Sequence, residues 1–261
     1  MRKSKVLARL RSGQFARIAG IGHFLPFFVR YAAYYGYDGI WLDLEHRTMN
    51  DREVQALIAA CYYNDIDCMI RPQTRGASHL YHYLEDGAAG FMFPLVSTAE
   101  TARQLVEVVK FAPLGNRGLD GAGLDADYGL EAWKPNSCYC EEANRETFIL
   151  AQIETIEAVQ NVEAIAAVPG LDCLFIGPGD LGLRLRMAGS PTGLTLLAIA
   201  ERVSAAARKH GLAWGITAGS IEDLTRFRKM GAQVVPWGGD FALANHLRQC
   251  SEQLDSALAE K

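Results

Sequence analysis

No hydrophobic run in this chain approaches the ~20 residues needed to cross a bilayer, because charge or glycine cuts every apolar stretch. Neither sign of charge dominates. The 26 basic and 30 acidic residues leave a net charge of −4, too weak a field to hold nucleic acid or an anionic membrane. Low-complexity and collagen-like tracts are also missing, and 49% hydrophobic and 21% charged residues make an ordinary globular composition. The basic opening MRKSKVLARLRSGQ lacks the apolar stretch of a secretory signal. Residues 1–14 read instead as a lead-in helix carrying Val6, Leu7 and Leu10, with a mitochondrial presequence as the alternative. Of the six cysteines only Cys138 and Cys140 are closely spaced, and no second pair completes a zinc site. Reduced, mostly buried thiols in a soluble cytoplasmic protein are expected.

What the chain does have is a repeated rhythm. Eight apolar runs have strand chemistry: 15–20, 39–43, 68–71, 90–94, 148–154, 172–176, 212–217 and 233–237. Most are near-continuous, as in parallel strands covered on both faces. Helical spacing fills the intervals. Pro26 opens one helix, Asn50 is an N-cap candidate for the next, and 98–111, 155–168, 195–210, 220–230 and 241–258 follow. Gly211 and Gly231 are C-cap signals. Eight strands alternating with helices over 261 residues predict a (β/α)8 TIM barrel as a single domain, with an open doubly wound sheet as the competitor. One connection, 113–147, is too long to be a plain loop and reads as a lid or interface segment.

Barrel chemistry gathers at the C-terminal strand ends, and here apolar strands turn charged at their last residues. Strand 2 ends in Asp43, Glu45 and His46, strand 3 in Arg71-Pro72, strand 5 in Gln152-Ile153-Glu154, and strand 6 in Gly177-Pro178-Gly179-Asp180. Glu154 and Asp180 come from neighbouring strands and suit one divalent cation, which would relieve their mutual repulsion. Alternatively, they cap a helix and close a turn. The Arg71 fork suits a carboxylate or phosphate, or else an internal salt bridge to Asp43 or Glu154. His46 with Asp43 or Glu45 is a candidate acid–base dyad. Gln152, Gly177, Pro178 and Gly179 are candidates for substrate contact. His23, His79, His82, His210 and His246 read as structural or surface residues.

Two patterns point elsewhere. The string from Gly177 to Gly182 matches G-x-G-x-x-G, but a dinucleotide site needs that motif to open into a helix, and LRLRMAGSPTG is not expected to be one; Asp180 would also repel a pyrophosphate. The glycine-rich ends of strands 7 and 8 leave a phosphate cradle open. A Schiff-base mechanism is disfavoured, since none of the seven lysines falls at a strand end.

The strings GYDGIWLDLEH, RP, GNRG, LAQIETIEAVQNVEAIAAVPGLDCLFIGPGDL and the late G-A-x-x-V-x-x-G-x-D resemble the HpcH/HpaI family of metal-dependent class II pyruvate aldolases, from about Gly20 to Asp240. The resemblance implies that Glu154 and Asp180 bind Mg²⁺ or Mn²⁺ (Co²⁺ is a further option) and that Arg71 stabilises an enolate. It also implies that His46 with Asp43 moves a proton, and that Asp86 orders the site from a subunit interface. Pyruvate and an aldehyde would be the partners, in a homohexamer whose dimers exchange the last helix. This chain departs from the family after GNRG, where LDGAGLDADYG carries three aspartates; an acidic lid would favour a polar or cationic acceptor. A malyl- or citramalyl-type lyase and a non-catalytic keto-acid-binding barrel are the alternatives.

Overall fold

The computed structural model describes residues 1–130, 132–189 and 194–259. In chain order the elements are α1 (Lys5–Arg11), β1 (Ile18–Ile21), α2 (Pro26–Tyr34), β2 (Gly39–Asp43), α3 (Asp51–Tyr63), β3 (Asp67–Arg71), α4 (Ala77–Glu85), β4 (Gly90–Phe93) and α5 (Ala99–Val109). There follow a 3-10 turn (Leu124–Gly129), α6 (Tyr139–Glu146), β5 (Phe148–Ile153), α7 (Ile156–Gln160), α8 (Val162–Ala166) and β6 (Cys173–Ile176). Then come α9 (Pro178–Met187), α10 (Leu196–Lys209), β7 (Ala213–Ile216), α11 (Ile221–Lys229) and α12 (Ala242–Ala259).

Helix boundaries obey local chemistry. Asn50 and Glu53 form a reciprocal capping box on α3. Thr98, Thr155, Thr195 and Ser220 each accept a backbone N–H at the start of their helices. Gly211 and Gly231 both take positive φ just past α10 and α11. Two expectations fail locally. Residues 155–168 do not form one helix but two short ones meeting at Asn161. The stretch 183–193, not expected to be helical, supplies residues 183–187 to α9 (Pro178–Met187), which has Pro178 in its first turn; residues 190–193 lie outside the described residues. The G-x-G-x-x-G string therefore does open into a helix, and the first argument against a dinucleotide site falls; the acidic Asp180 in that helix's first turn still opposes a pyrophosphate.

Among the described residues seven strands pair in sequence order, all parallel. The expected eighth strand is not a ladder. Residues in 233–239 instead make isolated bridges, Val234 to both Gly215 and Ala16, and Gly239 to Gly20. Pro236 has no N–H to give, and Gly238 takes φ 85°, which breaks regular pairing. The segment nonetheless lies between β7 and β1, with Ile216 N–H donating to Val234 O (3.0 Å) and Ala16 N–H to Gln233 O (2.8 Å).

Strand alternation sorts the core into two. Ile40, Leu42, Ile70, Phe91, Phe93, Ile149, Ile153, Leu174 and Ile176 face the helices and join one large cluster. Their alternates Ile18, Met69, Met92, Phe148, Leu150, Cys173, Phe175 and Ala213 form a second cluster, with Val6, Leu7 and Leu10 of α1 packed into it. The lead-in helix is thus a plug. The cysteines are less buried than expected: Cys61, Cys68 and Cys173 are buried, whereas Cys138 is exposed and Cys140 and Cys250 are partly so. The long connection has structure of its own in the 3-10 turn and α6. A buried ion pair between Arg117 and Asp125 (2.9 Å), capped by the Tyr139 hydroxyl donating to Asp125 (2.6 Å), anchors it.

Candidate active site

The period of two that builds the inner cluster also builds the site. Continuing each inner face by two residues leads from Met69 to Arg71 and from Leu150 to Gln152 and Glu154. It likewise leads from Phe175 to Gly177 and from Trp41 to Asp43. Side chains at the C-terminal ends of the strands therefore converge above the packed interior. Two cavities adjoin there, sharing Trp41, Arg71 and Thr217. A smaller one of about 220 Å³ is lined by His46, Gln152, Glu154, Gly177 and Asp180 among others. A larger one of about 590 Å³ runs past Gly20, Asp43, Trp237, Asp240 and Phe241.

Arg71 is fixed on three sides. Its Nε and one terminal nitrogen donate to Asp43 Oδ1 and Oδ2 at 2.9 and 2.8 Å, and its other terminal nitrogen lies 3.1 Å from Glu45 Oε2. The guanidinium stands over the Trp41 ring, 4.9 Å from its centroid. Burial alone would raise the Asp43 carboxyl, but the Arg71 hydrogen bonds and charge outweigh it and hold the pKa below the ordinary value. Asp43 is thus the partner of Arg71. The His46 side chain is half exposed, with Nε2 3.6 Å from Glu45 Oε2, and only its backbone N–H approaches Asp43. The acidic neighbour of the His46 ring is Glu45.

Glu154 is 3% exposed. Its Oε1 accepts from the Leu95 N–H at 2.7 Å and its Oε2 from Gln152 Nε2 at 3.2 Å. Burial raises its pKa, the Leu95 bond opposes that, and the charges of Glu45 and Asp180 add to the rise. In the β5–β6 register Ile153 faces Ile176, so Gly177 stands opposite Glu154. Asp180 comes to the same cavity from the first turn of α9 rather than from the strand end itself. A Cβ at Gly177 would lie 2.3 Å from Glu154 Oε2, so only glycine fits there. Gln152 Oε1 is buried without a partner among the described residues. No group of three or more His, Cys, Asp or Glu residues suited to a metal occurs among the described residues.

Asp86 lies apart from this cluster in its own chain. It ends α4, accepts from Gln55 Nε2 at 2.7 Å and lines another cavity with His79, His82 and Glu85. Sequence reasoning passed over Leu95, whose N–H holds Glu154, and Asp240, which lines the larger cavity. Leu95 contributes only its backbone, which no side-chain pattern reveals. Asp240, buried, accepts from Gly22 N–H (2.8 Å) and from the His23 ring (2.7 Å), which gives His23 the structural place expected of it. The signal was present in Gly238-Gly239-Asp240 at one strand end and Gly22-His23 at another, but nothing local joins positions 217 residues apart.

The family model of HpcH/HpaI aldolase/citrate lyase matches residues 23–246. A hydroxypyruvate/pyruvate aldolase from Sagittula stellata is 32% identical over 235 residues, covering 89% of this chain and 90% of that protein. A 2-dehydro-3,6-dideoxy-6-sulfogluconate aldolase from Pseudomonas putida is 31% identical over 210 residues, 80% of each. The crystal structure of an HpcH/HpaI aldolase from Desulfitobacterium hafniense superposes with a TM-score of 0.82 at 29% identity, covering 97% of this chain and 96% of that one. Taken with the strand-end cluster of Arg71, Glu154 and Asp180, these likenesses mean that the chain belongs to the HpcH/HpaI aldolase/citrate lyase family.

Proposed function

We propose that the protein is a divalent-metal-dependent carbon–carbon lyase, a pyruvate-type aldolase that cleaves or forms 4-hydroxy-2-oxo acids through the enolate of pyruvate. The observation that carries this reading is the cavity that gathers Glu154, Asp180 and Arg71 beside a second cavity large enough for an aldehyde.

The donor set fits a cation. Glu154 and Asp180 line one cavity, the charges of Glu45 and Asp180 both act on Glu154, and Arg71 is already ion-paired with Asp43 and Glu45. That leaves negative charge unbalanced in a partly dry site. Gln152 Oε1, in the same cavity as Asp180, is a buried acceptor without a partner among the described residues. Glu154 and Asp180 would hold the ion, and two carboxylates with open positions suit Mg²⁺ or Mn²⁺, with Co²⁺ a further option. Such an ion supplies Lewis-acid polarisation of a 2-oxo group.

The chain's own residues do the rest. Arg71, locked by Asp43, Glu45 and Trp41, keeps a fixed positive fork at the cavity wall, placed to bind a carboxylate and to stabilise charge developing on an enolate oxygen. His46, beside Glu45 and open to solvent, holds or releases the proton of the aldol hydroxyl. Gly177, Pro178 and Gly179 leave backbone room for the substrate next to Gln152, and the larger cavity takes the aldehyde.

Several architectural features belong to the same reading. Bridges on both sides of 233–239 support closure of the sheet into an eight-staved barrel, as one domain over 1–261 with 113–147 as lid or interface segment. Helix α12 buries none of its residues, and Leu243, Leu247, Leu254 and Leu258 are exposed along it. That supports exchange of this helix between subunits of a homohexamer, in which Asp86 would serve a neighbour's site. Among the described residues no helix is long and apolar enough to cross a membrane; the free thiols suit a reducing compartment, and a cytoplasmic location is part of this reading.

Proton exchange of the pyruvate methyl group, followed by NMR, tests the chemistry. Exchange is expected with Mg²⁺ or Mn²⁺ and is lost with EDTA, in Glu154→Ala and in Asp180→Ala. Exchange that persists in EDTA would sink the metal mechanism.

A further inference from the structure

Leu95, in the loop after β4, has φ 55°. That is the left-handed region, where any residue with a Cβ is strained. The Leu95 side chain is largely in solvent, 39% exposed, so its burial does not offset that strain. Two polar ties hold the turn instead. Leu95 N–H donates to Glu154 Oε1 at 2.7 Å. From the loop after β3, one terminal nitrogen of Arg75 donates to Pro94 O at 2.6 Å and to Leu95 O at 3.0 Å. The next residue closes the turn onto β5, with Val96 N–H donating to Gln152 O at 3.2 Å.

The geometry points to Arg75 as a positioning residue for Glu154: it ties down the strained Pro94-Leu95 turn, and the turn's N–H sets the carboxylate. Strained backbone persists only where its surroundings over-determine it, and such sites cluster where geometry matters to function. With Oε1 committed to Leu95 and Oε2 lying against Gly177 and Gln152 Nε2, the carboxylate cannot swing. Oε2 is then the oxygen that Glu154 would offer to a cation. The consequence for cation binding rests on the metal reading above; the clamp itself rests on the chain alone.

Two measurements on the wild type, Arg75→Met, Arg75→Lys and the double variant Arg75→Met/Leu95→Gly separate the possibilities. Hydrogen exchange across 93–97 reads the clamp without metal, and Mn²⁺ titration by calorimetry reads its effect. In Arg75→Met the Leu95 amide is expected to exchange roughly tenfold faster while 149–153 stays protected, so loss of folding is not the cause. Mn²⁺ affinity should fall roughly tenfold, as when other outer supports of a metal ligand are removed, with partial recovery in Arg75→Lys. Glycine takes positive φ without strain, so the double variant should recover affinity to within about threefold of wild type. Unchanged Leu95 exchange in Arg75→Met overturns the clamp. A double variant that binds as weakly as Arg75→Met overturns the role given to strain. A wild-type chain that binds no Mn²⁺ fails the metal reading, and the exchange measurement still decides the clamp.

Discussion

Arg71 and Asp43 meet edge to edge, two parallel N–H···O bonds of 2.9 and 2.8 Å joining a guanidinium at the end of β3 to a carboxylate at the end of β2. The register pairs these two residues directly, so the fork is a product of strand alignment. Bidentate geometry of this kind sets direction as well as charge. The cation that the substrate would meet is therefore aimed by the neighbouring strand.

Asp43→Asn should loosen that aim. We expect kcat/KM for aldol cleavage to fall on the order of 10²-fold, the scale of a small misplacement of a catalytic group. The pair also leaves a signature in stability. Because Arg71 holds the Asp43 carboxyl below its ordinary value, its contribution is fully present above the unfolded carboxylate pKa of about 4 and is lost as pH falls through the depressed folded value. The stability gap between wild type and Asp43→Asn, measured by urea denaturation, should shrink between pH 6 and pH 3. A constant gap would mean that the ion pair is not what stabilises.

Gly177→Ala places a methyl 2.3 Å from Glu154 Oε2 and 2.9 Å from Glu154 Cβ. Since Glu154 is held by Leu95 and Gln152, it has little room to yield. Divalent-metal affinity should drop by roughly 10- to 100-fold while the circular dichroism spectrum is unchanged. Wild-type affinity in this variant would show that the carboxylate is free to move.

Gly20 lines the larger cavity, and a Cβ there would meet nothing within 4 Å. Gly20→Leu fills space rather than forcing it. Stability should stay within about 0.5 kcal/mol of wild type. In a screen of aldehydes with pyruvate, turnover of bulky acceptors should fall at least about tenfold more than turnover of glycolaldehyde, as expected when pocket volume sets specificity. Equal losses for both would place the acceptor elsewhere.

In the long connection, Arg117 and Asp125 are 1% and 2% exposed. Arg117 also stands 4.5 Å over the Phe111 ring. Arg117→Met leaves a buried carboxylate without its counter-charge and should cost about 3–5 kcal/mol in denaturant melts. The double variant Arg117→Met/Asp125→Asn should recover a large part of that loss. If it recovers none, packing against Phe111 rather than charge accounts for the effect.

Much of this was legible in the linear chain, for reasons that are local. Asn50 announces α3, and the Thr and Ser caps announce four more helices, because a cap acts over three residues. The alternation along Leu150, Gln152 and Glu154 shows which side chains share an inner face, and chemistry at strand ends follows from that face. Helix α9 was missed because the glycines and proline of LRLRMAGSPTG argue against a helix, yet the first of them, Gly189, stands past its end and Leu181 and Leu185 pack into the core. The eighth strand was over-read because its apolar run hides the effect of Pro236 and Gly238 on pairing.

The rhythm of elements and the set of ionisable groups at their ends are written in the linear chain, since periodicity and capping reach no farther than a turn or a strand. Only the tertiary structure decided how those groups are spent: that Arg71 belongs to Asp43 and Glu45, that Glu154 leans on the backbone of Leu95, and that His23 answers to Asp240. Those choices depend on which loop the next strand sets alongside, and distance along the chain carries no record of that.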